Sequence, residues 1–302
     1  MATTDGPVLV TGASGYVGGQ LVAALLDRGI AVRAMSRDPE RLSPLRQQGV
    51  EIVAADVLDR TSLRAAMAGV RAAYYLVHSM GDSGSGHTFA DVDRYAAQNF
   101  ALEGHDLEQI VYLGGLGRPD DVLSPHLRSR LEVGETLLAG RAPTTVLRAG
   151  IVIGHGSASF TMLLCLAKRL PVMVCPRWVQ TKTQPIAIAD TVAYLVAALG
   201  NPRAADTSFE IGGPDVLTYR EMMERTAAVL GKRPIIVNVP VLTPRLSAYW
   251  VDLVTPIPAS IAHALIEGLR NEAIVQDDAA RQVMPLPLTP FDTAVRLALQ
   301  GS

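Results

Sequence analysis

Short apolar runs rich in β-branched residues alternate, over the first half of the chain, with segments whose apolar positions recur every three or four residues. The apolar runs are predicted strands, at Val8–Val10, Ala31–Met35, Glu51–Ala55, Ala72–Val77, Gln109–Leu113 and Thr145–Ala149. The segments with helical spacing are predicted helices, at Val17–Arg28, Pro39–Gln48, Thr61–Ala68, Thr88–Glu103 and Arg128–Ala139. Because such alternation is typical of a parallel sheet with helices on both faces, the pattern predicts an α/β fold with a doubly wound parallel sheet.

The alternation ends near Gly150, and prolines become frequent beyond it. Later helices are predicted at Ser159–Arg169, Asp190–Leu199 and Phe291–Leu299, and later strands at Val172–Cys175 and Ser208–Ile211. Thr218 and Glu221 have the spacing of a capping box, which predicts that a further helix begins there. We therefore expect a first domain over residues 1–154 and a smaller substrate lobe over residues 155–302, with residues 184–212 returning to the sheet.

The first predicted strand leads into a glycine-rich turn and then into a helix. Gly12 can take the backbone angles of a tight turn, and Gly15 lets the main chain approach a pyrophosphate. Gly18 lets the following helix lie close to the sheet. Free N–H groups and the positive end of the helix dipole would then face the phosphates. In this strand–turn–helix context, the G-x-x-G-x-x-G spacing predicts a dinucleotide phosphate cradle.

The end of the second predicted strand bears on which dinucleotide is bound. An acidic residue about 20 positions after the turn binds the ribose hydroxyls of NAD, whereas the 2′-phosphate of NADP needs a cation there. Ser36 and Arg37 occupy this place. Arg37 predicts NADP, with NADPH preferred over NADH, because a guanidinium donates two charge-assisted hydrogen bonds to a phosphate. Arg33 could add a second contact, and in the alternative Arg37 is a solvated residue that pairs with Asp38 or Glu40.

Composition narrows the classes of function. The formal net charge is −2 and no long Lys/Arg run occurs, which excludes the electrostatic surface expected of a nucleic-acid-binding protein. The longest apolar stretches, 160–170 and 246–269, are interrupted by charged residues or proline, so no membrane span is expected. The two cysteines lack a pairing or metal-binding pattern, and the first residues lack that of a signal peptide. These features predict a cytoplasmic protein.

Several motifs together resemble a known superfamily. The glycine-rich turn, Asp56, Val146-Leu147-Arg148, Gln184-Pro185-Ile186-Ala187 and Phe209-Glu210-Ile211-Gly212-Gly213-Pro214 resemble an extended-type short-chain dehydrogenase/reductase, over nearly the whole chain. The segments 74–80, 112–117 and 123–130 resemble more narrowly the atypical, NmrA-like branch of that superfamily.

The resemblance implies how a dinucleotide would lie along the sheet. It assigns the pyrophosphate to Gly12, Ser14, Gly15, Tyr16 and Val17. It assigns the adenine to Asp56 and Val57, and the middle of the cofactor to Leu76, Val77 and His78 with Ser79. It places the segment from Ala149 through Ile151 to Ile153 beside the nicotinamide.

The chain departs from the superfamily at the expected catalytic pair. No Tyr-x-x-x-Lys occurs anywhere, and His126-x-x-x-Arg130 stands where that motif belongs. In one interpretation His126 donates the proton, as an imidazole with a pKa of about 6.5 can, and Arg130 holds the cofactor ribose. In a second, the acid comes from elsewhere, with the candidates His78, Ser79, Tyr112 and His155. In a third, no acid exists and the chain only binds the cofactor.

Two further polar residues are candidates for the site. Asn99 stands where the superfamily often uses an asparagine, although a helical Asn can also bond a backbone carbonyl. Arg148 lies near the ligand-binding edge of the predicted sheet, where it either faces a ligand or pairs with Asp190 or Glu210.

These observations favour an NADPH-dependent reductase of a carbonyl or conjugated double bond in an apolar small molecule. The apolar character of the substrate is inferred from Phe160, Met162, Leu163, Leu164, Met173, Trp178, Tyr249 and Trp250. The alternative is a non-catalytic NADPH-binding redox sensor or scaffold. A nucleotide-sugar epimerase or dehydratase ranks third, because that chemistry depends more strongly on the missing tyrosine.

Overall fold

Seven parallel strands form the main sheet of the protein. The structure, a computed structural model, describes residues 6–78, 88–117, 122–169, 172–175, 177–238, 268 and 271–301. The strands of the sheet are β1 (Val8–Thr11), β2 (Val32–Ser36), β3 (Glu51–Ala54), β4 (Ala72–Tyr75), β5 (Gln109–Gly115), β6 (Thr144–Ala149) and β11 (Thr207–Ile211). Their order is β3-β2-β1-β4-β5-β6-β11, with every neighbouring pair parallel. This is a Rossmann-like α/β fold, which confirms the predicted doubly wound sheet.

Helices cover both faces of this sheet. The first five are α1 (Tyr16–Leu26), α2 (Ser43–Arg46), α3 (Arg60–Met67), α4 (Phe89–Glu103) and α5 (Pro125–Leu138). Alternate residues of a strand point to opposite faces, so Val8 and Val10 pack with Leu21 of α1 while Leu9 packs with Phe100 of α4. Each face therefore has its own fully buried apolar layer.

The second half adds short strand pairs and more helices. Its strands are β7 (Val152–Ile153), β8 (Val172–Cys175), β9 (Lys182–Thr183), β10 (Ile186–Ala187), β12 (Leu217–Thr218) and β13 (Ile235–Asn238). Its helices are α6 (Ala158–Arg169), α7 (Ile188–Ala198), α8 (Tyr219–Val229), α9 (Ala279–Val283) and α10 (Phe291–Gln300). The strands pair as β7 with β10, β8 with β13 and β9 with β12. A third buried cluster joins α6, α8 and α10 through Phe160, Met222 and Val295.

Local capping explains where several helices begin. The predicted capping box is present, since the Thr218 hydroxyl accepts the Glu221 N–H at 3.1 Å and the Glu221 carboxylate accepts the Thr218 N–H at 2.7 Å. Helix α5 begins at Pro125, three residues earlier than predicted, because the Ser124 side chain caps it and proline suits the first helical position.

The segment predicted as one helix over 39–48 differs in the structure. Residues Pro39–Leu42 form a 3₁₀ turn, and α2 follows as a single α-helical turn. Pro44 lacks the N–H that a continuous helix would donate to the Glu40 carbonyl, so the two pieces do not merge. Within the ranges that the structure describes, no helix is long and apolar enough to cross a membrane.

The packing of α1 on the turn before it depends on Gly18. A Cβ on Gly18 would lie 2.1 Å from the Gly12 carbonyl oxygen, whereas a Cβ on Gly19 would lie 3.7 Å from its nearest neighbour, the Ala13 carbonyl oxygen. We expect Gly18→Ala to lower the free energy of unfolding by about 1–3 kcal/mol, the range for overpacked sites. Gly19→Ala is the matched control and should leave stability unchanged or raise it, because alanine favours the helix. Urea denaturation measures both, and an equal loss in the two variants would contradict this packing.

Candidate functional site

The ends of β1 and β4 are tied together beside the glycine-rich turn. Thr11 Oγ1 donates to the Tyr74 carbonyl at 2.9 Å and accepts the Leu76 N–H at 3.1 Å. Gly12 follows with φ +67°, and a Cβ there would lie 2.6 Å from the Leu76 carbonyl oxygen. Strand order reverses between β1 and β4, and ligands of such sheets bind at the carboxyl ends of the strands at this point. The turn therefore opens into the crevice where a dinucleotide is expected.

The turn has the features that a pyrophosphate requires. The Gly15 N–H donates to the Gly12 carbonyl at 2.8 Å, and Gly15 precedes α1 in an extended conformation with no side chain capping the helix. Ser14 and Gly15 are exposed, so the first N–H groups of α1 are open to an anion. A Cβ at Gly12 or Gly18 would be blocked by backbone atoms. The residues present fit the phosphates of a dinucleotide.

Arg37 is exposed at the end of β2, and neighbouring carboxylates do not neutralise it. The Asp38 carboxylate caps the 3₁₀ turn by accepting the Glu40 N–H at 3.2 Å. Among the residues described, the Arg37 side chain forms no ion pair or hydrogen bond. The alternative pairing of Arg37 with Asp38 or Glu40 is therefore absent from this structure.

Arg33 does not provide the second contact expected from the sequence. Its guanidinium pairs with Glu51 at 2.9 Å and donates to the Ala66 and Ala68 carbonyls at 2.8 and 2.7 Å. These partners hold Arg33 toward the amino end of β2, away from the edge where Arg37 stands. The expectation of a second phosphate contact from Arg33 is therefore wrong.

The loop after β3 is held in place by its own polar groups. Asp56 Oδ1 accepts the Leu58 N–H at 2.9 Å, and the Asp56 N–H donates to Ser62 Oγ at 3.1 Å. Asn99 donates to the Val57 carbonyl at 3.1 Å from the neighbouring helix. Asn99 thus supports the loop that the resemblance assigns to the adenine, and its amide nitrogen is engaged by main-chain carbonyls.

Three candidate side chains meet beyond the ends of β4 and β5. His78 follows β4, His126 is the second residue of α5, and Arg130 lies one turn further along α5. The rings of His78 and His126 are 5.8 Å apart between centroids. Arg130 donates to the Leu113 carbonyl at 2.7 Å, and its own carbonyl accepts the Tyr112 hydroxyl at 3.0 Å. The fold thus brings together residues that are 48 positions apart in the sequence.

Both histidines are neutral in this crevice near neutral pH. Burial, followed by the positive charge of Arg130, lowers the pKa of His126 to about 4. Burial, Arg130 and then His126 lower the pKa of His78 well below its usual value, although the residue keeps an exposed face. The expectation that His126 titrates near 6.5 is therefore wrong, since desolvation and a neighbouring cation both disfavour the imidazolium.

The other candidate acids lie in different settings. Tyr112 is buried and bonded to the Arg130 carbonyl, and burial raises its pKa. His155 is exposed beside Gly301 of the last helix turn. Ser79 lies outside the described residues.

Arg148 forms an ion pair instead of facing the crevice freely. It pairs with Glu210 at 3.0 Å and donates to the Gly117 carbonyl at 3.0 Å, so the predicted alternative of a pair with Glu210 is the one present.

The segment expected beside the nicotinamide follows β6 at the same edge of the sheet. Ala149 is buried, and its carbonyl accepts the Leu116 N–H at 2.8 Å. Ile151 is partly buried, and its carbonyl accepts the Ile186 N–H at 2.9 Å. Leu76 and Val77, on the other side of β5, are also partly buried against the core.

Tyr16 has a role that the sequence motif does not reveal. A Cβ on Gly154 would lie 2.1 Å from the Tyr16 hydroxyl, so the absence of a side chain at 154 makes room for this ring. Burial raises the pKa of Tyr16 to about 12, and its hydroxyl has no hydrogen-bond partner among the described residues. The side chain of Tyr16 therefore joins the glycine-rich turn to the loop after β7.

The structure describes the side chains of four of the apolar residues expected to line a substrate pocket, and all four pack in or against the core. Phe160, Met162 and Leu163 of α6 are buried in the cluster shared with α8 and α10, and Leu164 packs against it. Tyr249 and Trp250 lie outside the described residues, as do the side chains of Met173 and Trp178. The buried side chains of α6 thus give no independent sign of an apolar pocket.

Comparison with known proteins agrees with this geometry. Residues 12–150 match a family described as NAD(P)H-binding. The chain is 25% identical, over 90% of its length and 71% of the relative, to NADH dehydrogenase (ubiquinone) 1 alpha subcomplex subunit 9, mitochondrial, of Arabidopsis thaliana. It is 27% identical, over 88% of its length and 86% of the relative, to (4-alkanoyl-5-oxo-2,5-dihydrofuran-3-yl)methyl phosphate reductase of Streptomyces griseus.

A solved structure shares the whole architecture. The triphenylmethane reductase of Citrobacter sp., crystallised with NADP(H), superposes with a TM-score of 0.77 at 21% identity, covering 97% of this chain and 99% of that one. Residues 12–150 therefore form an NAD(P)H-binding domain. The Rossmann fold that the resemblance implies is confirmed by this superposition.

The neutral state of His126 predicts a pH-dependent stability. The unfolded chain takes up a proton at His126 near pH 6.5, whereas the folded chain takes it up only near pH 4, so folding stability falls as pH drops through this window. We expect the stability of the wild type, relative to His126→Gln, to fall by about 1 kcal/mol between about pH 7.5 and 5.5. Urea denaturation at both values measures it. A difference between the two proteins that does not change with pH would refute the depressed pKa.

Proposed function

We propose that this chain, which carries an NAD(P)H-binding domain, is an NADPH-dependent reductase of a carbonyl or conjugated double bond in an apolar small molecule. The observation that carries the proposal is the meeting of His78, His126 and Arg130 beyond β4 and β5, beside a turn built for a pyrophosphate. Polar hydrogen-bonding groups therefore lie at the sheet edge where the resemblance puts the nicotinamide. The reductase names of the Streptomyces and Citrobacter proteins support the reaction class.

In this proposal the dinucleotide lies across the carboxyl edge of the sheet. The main chain of residues 12–18 would hold the pyrophosphate, and the loop at Asp56 and Val57 would border the adenine. Arg37, exposed and free of ion pairs among the described residues, would hold the 2′-phosphate. Arg130, fixed through Leu113, would lie beside the nicotinamide ribose. When bound, NADPH supplies a hydride.

The proposed role of His126 follows from its neutral state. A neutral imidazole donates a hydrogen bond through its N–H and thereby polarises a substrate oxygen. The nearby Arg130 guanidinium adds positive potential where negative charge develops on that oxygen. His78 keeps an exposed face, so water can reach the pair and supply the proton that the reduced product takes up.

A second candidate function is favoured by the same side chains. The chain lacks the tyrosine–lysine pair, and no imidazolium is present at neutral pH at the two histidines. A site of this kind can bind NADPH without consuming it, as a redox sensor or scaffold would. Turnover separates the two functions, because only the reductase oxidises NADPH when a substrate is supplied.

The proposed contact of Arg37 with the 2′-phosphate predicts selectivity for NADPH over NADH. We expect Arg37→Ala to weaken NADPH binding by about 1.5–3 kcal/mol, the range for hydrogen bonds to charged groups, and to leave NADH binding nearly unchanged because NADH lacks the 2′-phosphate. Arg46→Ala, which removes another exposed arginine from the same connection, is the control and should change neither affinity. Calorimetric titration measures all three proteins. Equal losses for NADPH and NADH in Arg37→Ala would remove Arg37 from the phosphate site.

The proposed role of His126 predicts that loss of its side chain slows turnover. With quinones, enones and aromatic ketones as substrates, we expect His126→Ala to lower kcat by about 10²-fold or more, as loss of a polarising donor does, with little change in NADPH affinity. Arg130→Met should instead weaken NADPH binding. His105→Ala removes an exposed histidine that bonds Leu102 on a different helix, and should change neither quantity. NADPH binding without oxidation by any substrate in the panel would favour the sensor.

A further inference from the structure

One stretch of the C-terminal region, residues 271–276, connects three parts of the molecule. The Ala273 N–H donates to the Lys182 carbonyl at 3.2 Å, and the Ala273 carbonyl accepts the Gln184 N–H at 2.8 Å. The Gln276 N–H donates to Glu210 Oε2 at 2.7 Å, and the same carboxylate pairs through its other oxygen with Arg148. This segment is therefore fixed both to β9 and to the edge strand of the main sheet.

The first residue of the segment reaches the loop before α5. Asn271 Nδ2 donates to the Val122 carbonyl at 3.0 Å, and Asn271 Oδ1 accepts the Ser124 N–H at 3.3 Å. Both polar atoms of the amide are thus used on one short stretch of main chain. Ser124 is itself the cap of α5, since its hydroxyl accepts the Leu127 N–H at 3.3 Å. Asn271 therefore holds the residue that starts the helix.

His126 and Arg130 differ in how they depend on this contact. His126 is the second residue of α5, two positions after the Ser124 cap, and the described structure gives its side chain no hydrogen bond. Arg130 lies a turn later and is anchored separately, through the Leu113 carbonyl and the Tyr112 hydroxyl. Loosening the start of α5 would therefore release the His126 ring before it disturbs Arg130, because helix ends fray from the terminus inward.

We propose that Asn271 is a positioning residue for His126, which it holds against His78 by fixing Val122 and Ser124 at the start of α5. The role of His126 in turnover rests on the proposed reductase function, but the placement of its ring does not. Segment 271–276 thereby links the position of the candidate polarising group to β9 in the second half of the chain. The sequence alone gives no sign of this contact, since Asn271 is 145 positions from His126.

The test compares Asn271→Ala with two matched variants. We expect Asn271→Ala, which removes two hydrogen bonds to the start of α5, to lower kcat about fivefold or more, with the dissociation constant of NADPH changed less than about twofold. Asn271→Asp keeps an acceptor oxygen for the Ser124 N–H but cannot donate to the Val122 carbonyl, so kcat should fall less than in Asn271→Ala. Gln276→Ala removes a side chain of the same segment whose amide, among the described residues, bonds the Ile274 carbonyl, and this variant should behave as wild type.

A second readout does not depend on turnover. The C2–H proton resonance of His126, identified by its absence in His126→Gln, reports the pKa of the ring during a pH titration. In Asn271→Ala we expect this pKa to rise from about 4 toward 6.5, because a released ring regains water. An unchanged titration would overturn the proposal, as would an NADPH affinity that falls as far as kcat. If the wild type oxidises no NADPH, the reductase function fails, while the titration still decides the role of Asn271.

Discussion

The close approach of the glycine-rich turn to the end of β4 is the constraint on which the rest of the site depends. The Thr11 hydroxyl bonds both the Tyr74 carbonyl and the Leu76 N–H, and Gly12 leaves no room for a side chain against the Leu76 carbonyl. Gly18 then lets α1 lie against the same turn, so that the uncapped start of the helix faces the crevice. The position of His78 follows, because it comes two residues after Leu76.

From that edge, electrostatics determines what the polar cluster can do. Arg130 is fixed to main-chain groups and the crevice is partly closed to water, so the two imidazoles beside it stay neutral at neutral pH. A neutral imidazole can donate a hydrogen bond to a substrate oxygen, whereas delivery of a proton would require an imidazolium. In the proposed reductase, His126 and Arg130 in place of a tyrosine–lysine pair would act by polarisation rather than by proton transfer.

The sequence predicted the fold well because its signals are local. The apolar run Val8–Val10, the glycine spacing and the Thr218 capping box each depend on residues within one turn or strand, and the structure contains all three. The prediction of one helix over 39–48 was wrong, because Pro44 lacks the N–H for one hydrogen bond of a continuous helix. NAD(P)H binding was predicted from the same local motif and is confirmed by the match over residues 12–150. The assignment of individual residues to the cofactor stays a prediction.

The features that could not be predicted depend on contacts between distant segments. Burial and the charge of Arg130 lower the pKa of His126. Neither the burial of His126 nor its approach to His78 can be predicted from the residue spacing of α5. The engagement of Arg33 with Glu51, and that of Asn271 with Ser124, likewise require the folded sheet and the packed C-terminal segment. Sequence motifs therefore located the crevice, whereas tertiary packing decided which charges remain available in it.

A crystal structure of the NADPH complex tests the central claim most directly. The account predicts that the nicotinamide ring lies beside His78 and His126, with Arg130 at its ribose and Arg37 against the 2′-phosphate. A complex in which the nicotinamide lies away from both histidines, while the pyrophosphate still sits on the glycine-rich turn, would contradict the assignment of these side chains to the reaction.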